Sequence, residues 1–135
     1  MITREFSIPY PPSVNSLYRS VARGRGHVQV VKSTEGKRFY IRARKAIRSQ
    51  LGETLKPTKE RVGVTVFAFQ PDKKQRDIDN LFKATLDAMN GLVYDDDHLI
   101  DDLRIIRAEV DRKNPRLEII VKTLSNKGRL SGNEN

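Results

Sequence analysis

The stretch that most limits the fold of this 135-residue chain is Val62 to Gln70, VGVTVFAFQ. It is rich in β-branched and aromatic residues and holds few polar ones, a composition that favours a β-strand. Because few of its side chains suit a water-facing surface, we expect this strand at the centre of a sheet. Strands on either side of it must then come from the rest of the chain.

Several further segments have the composition of strands. REFSIPY (Arg4 to Tyr10) is bounded by prolines, HVQVV (His27 to Val31) is short, and DLRIIRAEVD (Asp102 to Asp111) and RLEIIVKTL (Arg116 to Leu124) are separated by RKNP. We expect the last two to form a closing strand pair. No internal repeat or linker is visible, and this length suits one domain.

The longest predicted helix runs from a cap at Ser33 or Thr34 to about Leu51, with Gly52 just beyond it. Its spacing places an apolar stripe on one side, Tyr40, Ala43, Ile47 and Leu51. A basic face lies roughly opposite, Arg38, Arg42, Lys45 and Arg48. Such a face is either solvated or binds nucleic acid, and its spacing does not choose between the two.

A second helix is predicted from about Asn80 to Met89, ended by Asn90-Gly91. The expected order is β-α-β-α-β-β, which is an α/β (α+β) fold in one small domain with a mixed sheet and two main helices. We expect this domain to cover residues 1–124. The polar residues 125–135 are expected to form a disordered tail.

Charge is unevenly divided along the chain, whose formal net charge is +9. Residues 1–61 hold 14 Lys and Arg against four Glu, whereas residues 62–135 hold 12 against 13 acids. This pattern suggests a polyanionic partner, although basic proteins are also common without one. No segment resembles a signal peptide or membrane span, and the chain has no Cys. We therefore expect a cytoplasmic protein with no membrane partner and no small-molecule organic cofactor.

The stretch RDIDNLFKATLDAM (Arg76 to Met89) carries the strongest functional signal. In extended chain, Asp77 and Asp79 point the same way, and Lys83 lies one helical turn after Asp79 on the exposed face. The two carboxylates can therefore converge at a strand end and a helix start, where α/β proteins place their sites. The alternative is simple N-capping, because Asp is among the best capping residues.

A second acidic run, VYDDDHLIDD (Val93 to Asp102), places five Asp within eight positions. So dense a run calls for a counter-cation. It lacks the ligand spacing, central Gly and terminal Glu of a calcium-binding EF-hand, so a calcium loop is disfavoured. A solvated acidic turn is the other alternative.

These features together favour a Mg²⁺ site built from carboxylate oxygens beside a lysine. Such a site polarises a phosphodiester and activates water, while Lys83 neutralises developing charge. The preceding basic run would place Lys73, Lys74 and Arg76 against phosphates. The reaction class indicated is metal-dependent phosphodiester hydrolysis. Its rivals are a non-catalytic DNA-binding protein with a structural acidic cluster, and another D-x-D enzyme such as a nucleotide-sugar transferase.

Three blocks of the sequence resemble the RusA family of Holliday junction resolvases, endonucleases of bacteria and their prophages. They are PYPPSVNSLYR, RDIDNLFKATLDA and YDDDHLID, and the resemblance spans about residues 5–122. It implies metal-binding aspartates at Asp77 and Asp79, a catalytic lysine at Lys83 and a third carboxylate at Asp96. Asp95 and Asp97 remain alternatives for that third ligand.

The resemblance also implies a homodimer that uses Mg²⁺ or Mn²⁺ to cut four-way DNA junctions by paired, symmetric nicks in recombination and repair. In the N-terminal block, Asn15 and Arg19 match family positions, and the basic glycine-rich segment after it adds Arg23 and Arg25 to the expected DNA contacts. One departure is Gln75, which interrupts the basic run before Asp77.

Overall fold

The computed structural model describes residues 2–124, which form a four-stranded mixed sheet, a separate β-hairpin and three α-helices. The strands are β1 (Thr3–Pro9), β2 (Tyr18–Ala22), β3 (Val28–Lys32), β4 (Val62–Phe69), β5 (Ile100–Arg107) and β6 (Arg116–Thr123). The helices are α1 (Val14–Leu17), α2 (Thr34–Leu51) and α3 (Phe82–Met89), with 3₁₀ turns at Ile78–Leu81 and Asp97–Leu99. The predicted α+β class is confirmed. Residues 125–135, predicted as a tail, lie outside the described residues, so the boundary at 124 stays a prediction.

The main sheet has the order β1-β6-β4-β5, with β4 in the interior as its composition predicts. β4 pairs antiparallel with β6 and parallel with β5, and β1 pairs antiparallel with β6. Alternate residues of β4, beginning with Val62, are fully buried. β4 therefore supplies the middle of the core.

The predicted pairing of β5 with β6 is wrong, because β4 lies between them. The connecting residues 108–115 cross the end of β4, where the N–H groups of Ala108 and Asp111 donate to the carbonyls of Ala68 and Gln70. Adjacent strands are about 4.8 Å apart, so a connection of this length easily passes over one strand. The segment RKNP thus forms a crossing loop and no tight hairpin.

The long helix α2 begins and ends where the sequence predicts. The Ser33 hydroxyl accepts the Gly36 N–H at its start, and the Gly52 N–H donates to the Arg48 carbonyl at its end. Buried residues of α2 and α3 pack on one face of the sheet; these include Phe39, Ala43, Ile47, Ala84, Ala88 and Met89. The sequence prediction omitted Phe39 and began the apolar stripe with Tyr40, which is only half-buried.

The strands β2 and β3 form a hairpin of which only the second strand was predicted. Its turn is closed by hydrogen bonds from the Arg23 N–H to the His27 carbonyl and from the His27 N–H to the Gly24 carbonyl. Gly24 and Gly26 have φ values of +75° and +78°, which glycine adopts without strain. The RGRG segment thus makes the tip of an exposed hairpin.

The side chain of Gln50, on α2, covers part of the free edge of β1. Its amide oxygen accepts the Ser7 N–H at 2.8 Å, and its amide nitrogen donates to the Ser7 carbonyl at 2.7 Å. Both backbone groups of Ser7 are therefore satisfied by one side chain. At the opposite margin of the sheet, β5 is the edge strand.

Among residues 2–124, none of the helices has the length and apolar character needed to cross a membrane.

Candidate active site

Asp77 and Asp79 lie where the chain leaves the sheet and enters α3. Asp77 immediately precedes the 3₁₀ turn Ile78–Leu81, and its side chain makes no capping hydrogen bond. Asp79 lies in the first residues of that turn. Both are exposed. The helix itself begins at Phe82 after Leu81, which also contributes no side-chain cap. Capping therefore does not account for either carboxylate in this arrangement.

Lys83 and Asp87 lie one turn apart on the solvent-facing side of α3. The ammonium of Lys83 is 5.0 Å from the centre of the Tyr18 ring. The Asp87 carboxylate accepts the Tyr18 hydroxyl hydrogen at 3.0 Å and lies 3.8 Å from the Lys32 ammonium. The sequence predicted Leu81, Phe82, Thr85, Ala88 and Met89 as the buried face of this helix. All of these are buried except Phe82, which is only partly buried, and Ala84 is buried in addition.

The three consecutive aspartates after α3 have different surroundings. Asp95 is exposed, and its backbone N–H donates to the Thr58 carbonyl. The Asp96 carboxylate accepts hydrogen bonds from His98 Nδ1 at 2.8 Å, the Asp97 N–H at 2.9 Å and the Asn90 amide at 3.1 Å. The bond from His98, followed by the other two, lowers the pKa of Asp96 below its usual value. The Asp96 carboxylate is thus ionised, and its oxygens already accept three hydrogen bonds from the protein.

Asp97 serves the buried Tyr94. The Tyr94 ring is fully buried, and its hydroxyl donates to Asp97 Oδ1 at 2.9 Å. Burial, reinforced by the neighbouring Asp97 carboxylate, raises the pKa of Tyr94. Tyr94 therefore remains a neutral donor, and Asp97 is the aspartate of this run that accepts its buried hydroxyl hydrogen.

Across residues 2–124, no three acidic or histidine side chains are grouped closely enough to hold a metal ion. The geometry of α3 gives the reason. Asp96 is bonded to Asn90, at the C-terminal end of α3, whereas Asp79 precedes its N-terminal end. At about 1.5 Å per residue in α3 and about 2 Å in the 3₁₀ turn, the backbones of residues 79 and 90 are separated by roughly 17 Å. The predicted set of Asp77, Asp79 and Asp96 is divided between the two ends of one helix in a single chain.

The chemistry of the first two carboxylates nevertheless suits a hard cation. Within the described part of the chain, the side chains of Asp77 and Asp79 make no hydrogen bond or ion pair, so their oxygens face solvent. Exposed carboxylate oxygens are the donors that Mg²⁺ and Mn²⁺ prefer. The metal role of these residues and of Asp96 stays a prediction.

A cavity of about 650 Å³ lies beside Asp77. Its walls come from the turn after β1 and the loop after β4, and they include Tyr10, Asn15, Lys74, Arg76, Asp77 and Asn80. A second cavity, of about 320 Å³, is lined by Lys83, Tyr18, Arg19 and Val30. Val14 and Asn15 line both cavities. The two are therefore adjacent, with Asp77 on one side of Asn15 and Lys83 on the other.

The basic loop that leads to Asp77 is shaped by Asp72. Its carboxylate accepts hydrogen bonds from the Arg76 guanidinium at 2.6 Å and the Lys74 N–H at 2.9 Å, and these lower its pKa to about 2. Arg76 is thus engaged within the protein, whereas Lys73 and Lys74 are exposed. The side chains of Lys73 and Lys74 are therefore more accessible than that of Arg76 for the predicted phosphate contacts.

The predicted DNA-binding arginines of the hairpin are all exposed. Arg19 lies on β2, Arg23 begins the turn and donates to the Gln29 side chain at 2.9 Å, and Arg25 is at the tip with a φ of +43°. A two-stranded ribbon of this kind has the width that a DNA major groove admits. The contacts themselves stay predictions.

Known proteins similar to this chain identify its family. The family described as Endodeoxyribonuclease RusA matches residues 9–122. This chain belongs to the RusA family. It is 33% identical over 130 residues to the crossover junction endodeoxyribonuclease RusA of Escherichia coli strain K12, covering 93% of this chain and 99% of the relative.

Two phage proteins give similar values for this RusA-family chain. The crossover junction endodeoxyribonuclease of Enterobacteria phage HK97 is 34% identical over 104 residues, which is 76% of this chain and 81% of the relative. That of Enterobacteria phage 82 is 32% identical over 130 residues, which is 93% and 99%. The resemblance seen in the three sequence blocks is confirmed.

Sequence reasoning missed Tyr18, Lys32 and Asn90 as neighbours of the expected site residues. Tyr18 stands inside the block PYPPSVNSLYR, and its adjacency to Arg19 was the available signal. Asn90 was interpreted only as a helix stop, although it also donates to Asp96. Lys32 gave no sequence signal, because its contact with Asp87 spans 55 positions.

Proposed function

We propose that this chain is a metal-dependent endodeoxyribonuclease that resolves four-way DNA junctions by paired, symmetric nicks during recombination and repair. The observation that carries the proposal is the RusA match over residues 9–122, which includes Asp77, Asp79, Lys83 and Asp96. The exposed, unpaired carboxylates of Asp77 and Asp79 beside a basic loop support it.

In this proposal Asp77 and Asp79 hold Mg²⁺, for which Mn²⁺ can substitute. Asp96, which lies at the other end of α3 in the same chain, completes the set only if a second subunit or bound DNA brings it to the ion. When bound, such an ion acts as a Lewis acid on the phosphodiester and favours ionisation of the attacking water. The exposed ammonium of Lys83 neutralises negative charge that develops on the phosphate. Lys73, Lys74, Arg76 and the hairpin arginines Arg19, Arg23 and Arg25 bind the DNA backbone around the scissile bond.

We propose a homodimer, because a four-way junction presents two equivalent strands and a two-fold axis relates two equivalent sites to them. The cytoplasm is the proposed location, since the DNA substrate lies there.

A junction-binding protein without catalysis is the second candidate. The hydrogen bonds of Asp96 and Asp97 favour it, because they give part of the acidic run a structural role. This candidate requires that no divalent ion produce cleavage.

The deciding experiment incubates a four-way junction with wild-type protein and with Asp79→Asn, in Mg²⁺, Mn²⁺ or EDTA. We expect wild type to cut in either metal and to stop in EDTA. The variant should bind at least as tightly, because a negative charge near DNA has been removed, and should cut more slowly by a factor of about 10² or more.

Asp102→Asn is the matched control, since Asp102 is engaged with Arg104 on β5. A linear duplex tests selectivity, and an uncut junction in both metals would contradict the nuclease proposal.

A further inference from the structure

One carboxylate joins the base of the hairpin to α3. Tyr18 begins β2 and Lys32 ends β3, and these two residues are paired in the hairpin register. Asp87 contacts both, through the Tyr18 hydroxyl at 3.0 Å and the Lys32 ammonium at 3.8 Å. The Asp87 side chain is only about 30% exposed, which limits competition from water. Asp87 therefore provides two of the contacts that attach the hairpin base to α3.

The same tyrosine contacts Lys83. Its ring centre is 5.0 Å from the Lys83 ammonium, within the range of a cation–π interaction. Lys83 and Asp87 are four residues apart in α3 and so lie on the same face. Asp87 fixes the hydroxyl end of the Tyr18 ring, and the ring face limits the positions open to the long, flexible lysine side chain.

Two further observations support this arrangement. Burial, then the charge and hydrogen bond of Asp87, raise the pKa of Tyr18, so its hydroxyl remains a donor. The Lys32 ammonium also lies 4.7 Å from the Tyr40 ring of α2, which gives the hairpin base a second attachment.

We propose that Tyr18 and Asp87 are positioning residues for Lys83: Asp87 orients the Tyr18 ring, and the ring holds the lysine ammonium at the cavity that also contains Arg19 and Val30. This inference rests on the proposed function, in which Lys83 acts on the scissile phosphate. Since Tyr18 belongs to the hairpin, DNA bound along the hairpin would meet a lysine already placed by that same element.

The test uses full-length protein with Tyr18→Leu, Tyr18→Phe and Asp87→Leu. Lys83 is observed directly through the ¹³Cε signal of labelled lysine, assigned with Lys83→Arg, because a nearby ring face shifts this signal upfield. We expect the shift in wild type, its loss in Tyr18→Leu and its reduction in Asp87→Leu. Tyr18→Phe keeps the ring but loses its bond to Asp87, so its signal should resemble that of Asp87→Leu.

Single-turnover cleavage at saturating enzyme separates positioning from binding. We expect Tyr18→Leu to slow cleavage by about tenfold to a hundredfold with junction affinity within about twofold of wild type. Tyr18→Phe, which loses only the bond to Asp87, should slow cleavage less and to the same extent as Asp87→Leu. Lys32→Met is the control, because it weakens the hairpin attachment and leaves the Tyr18–Asp87 bond in place. Its rate should stay close to that of wild type.

A wild-type Lys83 signal without an upfield shift would overturn the inference, as would a Tyr18→Leu variant that cleaves at the wild-type rate. Equal slowing by Lys32→Met and Tyr18→Leu would also overturn it, because hairpin attachment alone would then explain both. If wild type fails to cut any junction, the proposed function fails, and the ¹³Cε shift still decides separately whether Tyr18 holds Lys83. Amide spectra of the turn residues 23–27 show whether each variant keeps the hairpin folded.

Discussion

Neighbouring aspartates of identical chemistry take different roles here because their side chains meet different partners. Asp97 accepts a hydrogen bond from a wholly buried tyrosine, Asp96 accepts three bonds at the surface, and Asp95 faces solvent. A buried hydroxyl that loses its acceptor incurs a desolvation cost, whereas an exposed carboxylate can exchange its partners for water. Stability and catalysis should therefore respond to different members of this run.

We predict that Asp97→Ala lowers the free energy of unfolding by about 1–3 kcal/mol, because the Tyr94 hydroxyl loses its close acceptor. Folded Asp97→Ala should still cut junctions. Asp96→Ala should remove cleavage with a smaller loss of stability. Urea unfolding and a junction-cleavage assay measure the two effects on the same samples. If Asp95→Ala is the variant that loses cleavage, the third carboxylate has been assigned to the wrong residue.

At the scale of elements, α1 can contact α2 closely because Gly36 has no side chain. A Cβ added at Gly36 would lie 2.1 Å from the Leu17 carbonyl oxygen, which is a backbone atom. The same carbonyl accepts the Ser33 N–H at 2.9 Å, so it is held against the start of α2. Tyr18 follows Leu17 directly, and the approach of α1 to α2 therefore sets where the hairpin begins.

We predict that Gly36→Ala destabilises the protein by about 1–3 kcal/mol, because backbone must move to admit one methyl group. The shift should also disturb Tyr18, visible in the Lys83 ¹³Cε signal. Gly63→Ala is the matched control, since its added Cβ meets its nearest atom at an ordinary 3.6 Å. Thermal unfolding of both variants measures the difference, and equal stability of the two would contradict the close approach.

Local signals predicted those elements that local chemistry determines. The limits of α2 follow from a serine cap and a terminal glycine, and the interior position of β4 follows from its composition. The pairing of β5 and β6 could not be predicted in this way. Two strands joined by a short polar segment are compatible with either a hairpin or a crossing over β4, and only the packing of the whole sheet distinguishes them.

The residues of the candidate site were likewise predictable from the sequence only in part. Helix periodicity correctly placed Lys83 and Asp87 on the exposed side of α3. Tyr18 and Lys32, which contact this face, come from a distant hairpin whose first strand has no clear sequence pattern. Nor could periodicity show that Asp96 bonds to the far end of α3, because the intervening turn sets that position.

At the scale of the whole molecule, positive charge is displayed on elements that surround the candidate site. The hairpin tip carries exposed Arg23 and Arg25, and the loop before Asp77 carries exposed Lys73 and Lys74. Lys122, in contrast, lies on the sheet face opposite the helices, since its neighbours Val121 and Thr123 point into the core. Equal charges at these places should contribute unequally to DNA binding.

We predict that Arg25→Ala weakens junction binding and lowers the slope of log affinity against log salt concentration by about one, because one phosphate contact and its counterion release are lost. Lys122→Ala removes the same charge and should leave the slope unchanged. Titration of labelled junction over a range of salt concentrations measures both. Equal slopes for the two variants would show that the hairpin tip does not contact phosphate.

The hydrogen bonds from Gln50 to the backbone of Ser7 also affect how copies of this molecule can associate through their sheets. A fibre that grows by strand pairing needs two free edge strands on every copy, so that each copy can pair with a neighbour on both sides. On β1, an incoming strand would first have to displace Gln50 from both backbone groups of Ser7. Gln50 thus hinders one of the two main-sheet edges that such growth would need and leaves β5 as the open one.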